Sequence, residues 1–213
     1  MLHAAERDAV AAGCRRLLTD GLVVGTSGNV SVRVDDAVLI SPSGVAYEDL
    51  EAGGVCVIDL DGNPVDGDLV PSSEWRMHTQ VYRARSDVSA VVHAHPVATT
   101  AVSTLVEEVP PVHYLLAALG GPVRVAPYAT YGSVALAEHS VTGLGDRTGV
   151  VLANHGATTV GRTLAQAHER MVVLEWVCQV WLTARGACEP RLLDVDELER
   201  VGERLRTYGQ PDR

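Results

Sequence analysis

The sequence predicts a mixed α/β domain built in layers, on the basis of three observations. Short segments that alternate polar and apolar residues, as strands do, are interleaved with longer segments whose apolar residues recur at helical spacing. The 213 residues are enough for one domain with a sizeable core. The hydrophobic fraction of 46% and the charged fraction of 21% are typical of a globular protein. We therefore expect residues 1–213 to form a single domain.

The N-terminal half is predicted to contain two helices and several adjacent strands. Residues 4–20 are rich in Ala and Leu and end at Gly21, which predicts a helix with a glycine stop. A second helix is predicted from the Pro-Ser-Ser-Glu sequence at residue 71 to about residue 85. Strands are predicted at residues 29–34, 37–40, 55–60 and 88–95.

The C-terminal half repeats the alternation of helices and strands. The long helix predicted at 163–185 carries Met and Trp residues at helical spacing, which indicates a core or a subunit interface. The other helices are predicted at residues 97–106, 112–119, 132–144 and 195–205, and strands at 123–126 and 150–153.

Lysine is absent, since all 17 basic residues are arginine. This excludes Schiff-base aldolases and pyridoxal-phosphate enzymes, which need a lysine amine, and P-loop NTPases of the usual kind. The 27 acidic residues give a net charge of -10, which argues against a nucleic-acid partner. A small anionic substrate stays possible, because a local site can oppose the overall charge.

The cysteines and the N-terminus predict a cytoplasmic protein. The four cysteines are scattered without a C-x-x-C pair, and we expect them to be small buried side chains in a reducing compartment. The N-terminal residues carry charges where a signal peptide needs an apolar core. Because no segment approaches the length of a membrane helix, we expect no membrane partner.

Three histidines follow predicted strands. His93 and His95 are two residues apart, which places both imidazoles on one face of a strand end. His155 follows another apolar strand and precedes Gly156, which permits close backbone approach. Three imidazoles and one exchangeable position are typical of a catalytic zinc site. The alternative is that these are partly buried histidines with ordinary hydrogen bonds.

Glu74 and three polar loops allow two interpretations each. Glu74 lies in the first turn of a helix, where the helix dipole stabilises acidic side chains. Alternatively, it is a metal ligand or general base. The loops are ordinary turns, or they converge into a phosphate site built from hydroxyls and backbone N–H groups. They comprise residues 26–29, 43–44 and 72–73.

Seven stretches of the sequence resemble, in order and spacing, the class II sugar-phosphate aldolases. They are GTSGNVSVR, LISPSG, PSSEWRMHTQVYRAR, AVVHAHP, PPVHYLLAALGG, APYATYGS and ANHGATTVG. The resemblance covers about residues 1–185 and extends to residues 207–209 of the tail. It implies a three-layer α/β/α domain with a central mixed, mainly antiparallel sheet, and a homotetramer with sites at the subunit interfaces.

The resemblance also implies roles for individual residues. His93, His95 and His155 correspond to three zinc-binding histidines, and Glu74 to a zinc ligand that is also the catalytic acid/base. Tyr114 corresponds to a tyrosine that reaches into the neighbouring subunit's site as the catalytic base. The positions that correspond to a substrate-phosphate site are Gly28, Asn29, Ser43, Gly44, Ser72 and Ser73.

The implied reaction is the reversible cleavage of a ketose 1-phosphate, L-fuculose 1-phosphate or a close relative, into dihydroxyacetone phosphate and an aldehyde. One zinc ion per chain would be the electron sink. Glu at position 74 favours this reaction over 4-epimerisation, because the family's epimerases generally carry Asp there. We expect Tyr131 near the aldehyde and Tyr208 at a subunit interface.

Two alternatives stay open. The first is another sugar-phosphate activity of the family: ribulose-5-phosphate 4-epimerase, methylthioribulose-1-phosphate dehydratase or sugar-acid phosphate decarboxylase. The second is a metal-free interaction domain like the adducin head, which shares the fold. The second requires loss of zinc ligands, whereas all three histidines are present.

Overall fold

Eight strands and six helices alternate along residues 1–208, the part of the chain that the computed structural model describes. The strands are β1 (Asn29–Val34), β2 (Ala37–Ile40), β3 (Cys56–Asp59), β4 (Pro64–Asp66), β5 (Ala90–Ala94), β6 (Val125–Ala126), β7 (Gly149–Leu152) and β8 (Gly156–Gly161). The helices are α1 (Ala4–Thr19), α2 (Trp75–Ala84), α3 (Val97–Val102), α4 (Val134–Leu144), α5 (Leu164–Ala187) and α6 (Val195–Leu205). Short 3-10 helices occur at Ala52–Gly54 and Tyr114–Leu119.

The strands form one sheet in the order β4-β3-β2-β1-β5-β8-β7-β6. Neighbouring strands are antiparallel except for β6 and β7, which are parallel. The predicted mixed, mainly antiparallel sheet is therefore confirmed. Strands β1, β5 and β8 lie at its centre.

Each face of the sheet packs against its own hydrophobic core. Ile40 and Val91 face a core that α2 and α4 complete. Their chain neighbours Leu39 and Val92 face the opposite core, to which α1, α3, α5 and α6 contribute. This division follows from the pleat, because successive side chains of a strand point to opposite faces. The predicted three layers are confirmed.

Two predicted helices are shorter than expected. The helix predicted at 97–106 ends at Val102, where the Ser103 and Thr104 hydroxyls donate to backbone carbonyls one turn earlier. Such contacts compete with continued helix. The helix predicted at 112–119 is the 3-10 helix Tyr114–Leu119, which ends at Gly120 with a φ of 89°. Strands β4 and β8 were not predicted from the sequence.

The cysteines are free, and three of them are buried as predicted: Cys14, Cys56 and Cys178. The prediction is wrong for Cys188, which is exposed because α5 ends at Ala187 and the chain leaves the core there. Within residues 1–208, no helix has both the length and the apolar character needed to cross a membrane.

Candidate metal centre and adjoining cavity

The side chains of Glu74, His93, His95 and His155 form one cluster, with their ligand atoms all within 4.8 Å of one another. The Nε2 atoms of His93 and His95 are 2.9 Å apart. Glu74 Oε2 lies 3.2 Å from His93 Nε2, and Glu74 Oε1 lies 3.5 Å from His155 Nε2. The structure therefore brings together all four residues that the sequence predicts as metal ligands.

The central strands position the three histidines. His93 lies in β5, where it pairs with Asn29 of β1 on one side and with Thr158 of β8 on the other. His95 follows the end of β5, and His155 lies in the tight connection between β7 and β8. Because β5 and β8 are antiparallel neighbours, the end of β5 and the start of β8 lie side by side, which brings His95 and His155 together.

Gly156 permits these two segments to approach. A Cβ atom at this position would lie 2.3 Å from the Ala94 carbonyl oxygen and 2.6 Å from His95 Cδ2. Both distances are too short for any side chain. Glycine next to His155 therefore permits the close backbone approach that the sequence predicts at this position.

The surroundings of His93 determine which ring nitrogen carries the proton and which one directs its lone pair to the cluster. His93 is fully buried, and its Nδ1 lies 2.9 Å from the carbonyl oxygen of Ala157. Because a carbonyl oxygen only accepts, Nδ1 carries the proton and donates to it. The Nε2 lone pair then points to the cluster, which is the arrangement of a metal-ligating histidine.

Burial keeps the other two imidazoles neutral. It lowers the pKa of His95 to about 3 and that of His155 to about 4, and the neighbouring histidines add to the effect. Since neutral imidazole is the form that binds metals, both side chains are ready for coordination at neutral pH.

Glu74 supplies a carboxylate with one free oxygen. Burial by itself raises the pKa of its carboxyl, but His93, His155 and the Asn29 amide outweigh burial and hold the pKa well below its usual range. Oε2 accepts a hydrogen bond of 3.0 Å from Asn29 Nδ2, whereas Oε1 is buried without a hydrogen-bond partner among the described residues. A buried carboxylate oxygen without a partner, beside three imidazole nitrogens, fits a bound divalent transition metal.

A cavity of about 330 Å³ adjoins the cluster, and we call it the central cavity. Gly28 can line it only as glycine, because its φ is 86° and a Cβ there would lie 2.8 Å from the His93 carbonyl oxygen. The lining includes every residue predicted to bind phosphate: Gly28, Asn29, Ser43, Gly44, Ser72 and Ser73. It also includes Glu74, His95 and His155, so the three loops and the cluster share one space.

The family model described as Class II Aldolase and Adducin N-terminal domain matches residues 8–182. The match covers most of the chain and includes all four residues of the cluster. The chain belongs to the class II aldolase family. The resemblance carried by the sequence motifs is therefore confirmed.

Several members of the class II aldolase family are similar to this chain over almost its full length. The 5-deoxy-D-ribulose 1-phosphate aldolase of Bacillus thuringiensis serovar kurstaki is 37% identical, over 99% of this chain and 100% of its own. The L-fuculose phosphate aldolase of Escherichia coli K12 is 41% identical, over 92% of each chain. A solved structure of an L-fuculose 1-phosphate aldolase superposes with a TM-score of 0.93 at 33% identity, covering 97% of this chain and 98% of that one.

In this class II aldolase, two tyrosines also line the central cavity. They are Tyr128 and Tyr131, with 61% and 69% of their surfaces exposed. Tyr131 was predicted near the aldehyde, and its place in the lining is compatible with that prediction. Tyr128 was missed, although it lies three residues earlier in the same motif.

Tyr114 does not belong to the described lining of its own chain's cavity. It is 48% exposed, and its ring packs 4.4 Å from that of His113, which in turn contacts Trp176 at 4.6 Å. Tyr208 is exposed as well, and the adjacent Gly209 lies outside the described residues. The predicted intersubunit roles of both tyrosines stay predictions.

A buried histidine behind the cluster was also missed. His78 is fully buried on α2 and contacts Asn29 and Ser31 of β1. The signal in the sequence is its spacing, because a residue four positions after Glu74 lies on the same helix face.

Proposed function

We propose that this class II aldolase is a zinc-dependent lyase that reversibly cleaves a ketose 1-phosphate into dihydroxyacetone phosphate and an aldehyde. The observation that carries the proposal is the cluster of three histidines and Glu74 at the edge of a cavity lined by three polar loops. L-fuculose 1-phosphate and 5-deoxyribulose 1-phosphate are the first substrates to consider, because similar relatives are named for their action on them.

His93, His95, His155 and Glu74 are the residues that would hold zinc. Three neutral nitrogens and one carboxylate oxygen are a donor set that suits this ion. Bound zinc supplies a Lewis acid that polarises substrate oxygens and stabilises the negative charge developing as the C3–C4 bond breaks.

The phosphate group is proposed to bind in the three loops of the central cavity. The described lining contains neither Arg nor Lys, so hydroxyls and backbone N–H groups must satisfy the dianion. Ser72 and Ser73 support this role because they precede α2, whose N-terminus carries a positive partial charge.

Two side chains are proposed to move protons. Glu74 is ionised in the resting site, so it would first take up a proton after substrate binds and then deliver it to C3 of the dihydroxyacetone phosphate fragment. The proton gained at C3 balances the one lost from the C4 hydroxyl, and the unpartnered Oε1 of Glu74 is the oxygen available for this transfer. Tyr114 of a neighbouring subunit would remove the proton of the C4 hydroxyl. Its position outside its own chain's cavity and the exposure of the nearby Trp176 support a homotetramer in which the sites lie between subunits.

A substrate panel separates this reaction from its alternatives. We expect release of dihydroxyacetone phosphate from at least one ketose 1-phosphate, among them L-fuculose 1-phosphate and 5-deoxyribulose 1-phosphate, and none from the sugars without phosphate. Epimerisation of ribulose 5-phosphate, dehydration of methylthioribulose 1-phosphate or carbon dioxide release from a sugar-acid phosphate, without dihydroxyacetone phosphate, would contradict the proposal. A protein that binds no metal would support the adducin-like alternative.

A further inference from the structure

A chain of buried hydrogen bonds runs from Tyr82 on α2 to Glu74, and we call it the His78 network. His78 Nδ1 lies 2.7 Å from Ser31 Oγ, and His78 Nε2 lies 2.5 Å from Asn29 Oδ1. Ser31 Oγ also lies 2.7 Å from the Tyr82 hydroxyl, and Asn29 Nδ2 donates to Glu74 Oε2. All five residues of the network are buried, with exposures of 5% or less.

The spacing of two elements creates this network. Asn29 and Ser31 are two residues apart on β1, so their side chains share one face of the sheet. Glu74 and His78 are four residues apart at the start of α2, so they share one face of the helix. The two faces pack together, so that Asn29 contacts both Glu74 and His78. Ser31 contacts His78 as well.

The orientation of the Asn29 amide determines the direction of the other hydrogen bonds in the network. Its nitrogen donates to Glu74 Oε2, so its oxygen, which only accepts, faces His78 Nε2. His78 Nε2 must then carry the ring proton, which leaves Nδ1 as an acceptor. Burial lowers the pKa of His78 to about 3, so the ring is neutral and needs a donor at Nδ1. Ser31 supplies that donor and accepts in turn from Tyr82.

We propose that His78 is a positioning residue that, through Asn29, holds Oε2 of Glu74 and leaves Oε1 as the oxygen available to metal and proton. This inference rests on the proposed role of Glu74 in metal binding and proton transfer. Without the His78 N–H, the buried amide oxygen of Asn29 has lost its donor, so the amide can rotate away from this position and release its hydrogen bond to Oε2. The two oxygens of Glu74 would then lose their distinction.

A pair of variants separates positioning from packing. His78→Gln keeps an N–H near the position of Nε2 and can donate to Asn29, whereas the shorter amide of His78→Asn reaches only the position of Nδ1, beside Ser31. Zinc affinity by competition with a chromophoric chelator, and kcat and KM for cleavage, are measured on both. Ser140→Ala removes another buried hydroxyl, which donates to Leu136 on α4 far along the chain from Glu74, and serves as the control for lost stability.

We expect His78→Asn to lose up to about 10–100-fold in zinc affinity and in kcat, with KM little changed, because it releases Asn29, the hydrogen-bond partner of the metal ligand Glu74. His78→Gln should recover most of both losses, and Ser140→Ala should keep both values. Equal values for wild type and His78→Asn, or equal losses in both His78 variants, would overturn the inference. The zinc affinities test the inference about His78 even if no ketose 1-phosphate is cleaved. A wild-type protein that binds no zinc would also overturn the inference.

One observation needs no variant. The ¹⁵N shifts of the His78 ring in the wild-type protein should show a protonated Nε2 and a bare Nδ1 at neutral pH. A protonated Nδ1 would mean that the hydrogen bonds run in the other direction, and it would overturn the inference independently of the variants.

Discussion

At the scale of single residues, Glu74 and His93 use their polar atoms in the same way. His93 donates from Nδ1 to the Ala157 carbonyl and turns Nε2 to the cluster. Glu74 accepts from Asn29 at Oε2 and leaves Oε1 without a partner among the described residues. In each case one atom anchors the side chain and the other stays available, which is how a metal site is held in place before the ion binds.

Gly156 gives a test at this scale. In Gly156→Ala the new methyl group collides with the Ala94 carbonyl and the His95 ring, so we expect lower zinc affinity and a loss of about 1–3 kcal/mol in the free energy of unfolding. Gly186→Ala is the matched control, because no atom lies within 4 Å of the added Cβ. Titration with zinc and urea unfolding measure the two effects, and a Gly156→Ala protein that matches its control would disprove the close-approach argument.

At the scale of elements, the strands and helices with clear periodicity could be predicted from the sequence. Residues 29–34 and 37–40 were predicted as the strands that the structure shows, and 195–205 as the last helix. β8 was missed because its sequence, GATTVG, has no polar–apolar alternation. All six of its residues are buried between β5 and β7, so both of its faces are covered.

The candidate site was predictable only in part, for a related reason. His93, His95 and His155 mark strand ends, and the loop residues carry recognisable motifs, so local sequence identifies them. His78 has no such mark, because its role depends on where α2 packs over β1. The role proposed for Tyr114 requires a second subunit, which no pattern within one chain can supply.

The burial of His78 between α2 and β1 predicts a pH dependence of stability. Its pKa is about 3 in the folded protein and about 6.5 when unfolded, so the unfolded chain binds more protons between these values. The free energy of unfolding of the metal-free protein should therefore fall as pH decreases below about 6.5, by up to about 1.4 kcal/mol per pH unit for this histidine. Urea unfolding in chelator from pH 7 to pH 5 measures the slope.

His78→Gln provides the comparison for this slope, since glutamine does not titrate. The variant should lose less stability than wild type over the same pH range, whatever its stability at pH 7. Parallel curves for the two proteins would show that His78 is protonated in the folded state or contributes nothing to the pH dependence.

At the scale of the whole molecule, the proposed contribution of Tyr114 to a neighbouring site can be tested by mixing inactive proteins. Glu74→Gln lacks the acid/base, and Tyr114→Phe lacks the base hydroxyl, so each alone should be nearly inactive. In randomly mixed oligomers about a quarter of the sites would combine an intact Glu74 with an intact Tyr114 from the next subunit. Activity should then recover toward about a quarter of the wild-type value.

This recovery requires refolding or subunit exchange, which mass spectrometry of the mixed oligomers confirms. Each variant mixed with itself is the control. Mixed oligomers that stay as inactive as their parents would place the two groups in the same subunit, or would remove Tyr114 from the reaction.

Neither the overall charge of this molecule nor a basic side chain in the described lining of its central cavity attracts a sugar phosphate. The net charge of -10 offers no attraction to a sugar phosphate, and the central cavity has no Arg or Lys in its described lining. The absence of lysine also excludes an amine route to carbon–carbon cleavage. What the described site does contain is a cluster of three histidines and one carboxylate, which supports the proposal that cleavage depends on a metal.

The most direct measurement is therefore the release of dihydroxyacetone phosphate from a cleaved ketose 1-phosphate before zinc removal, after it and after zinc is returned. We expect the rate to fall to below about one hundredth of its starting value in the metal-free protein, since an electrostatic stabiliser of this kind is worth that much or more. It should return in proportion to added zinc, up to about one equivalent per chain. Undiminished cleavage by the metal-free protein would contradict the account.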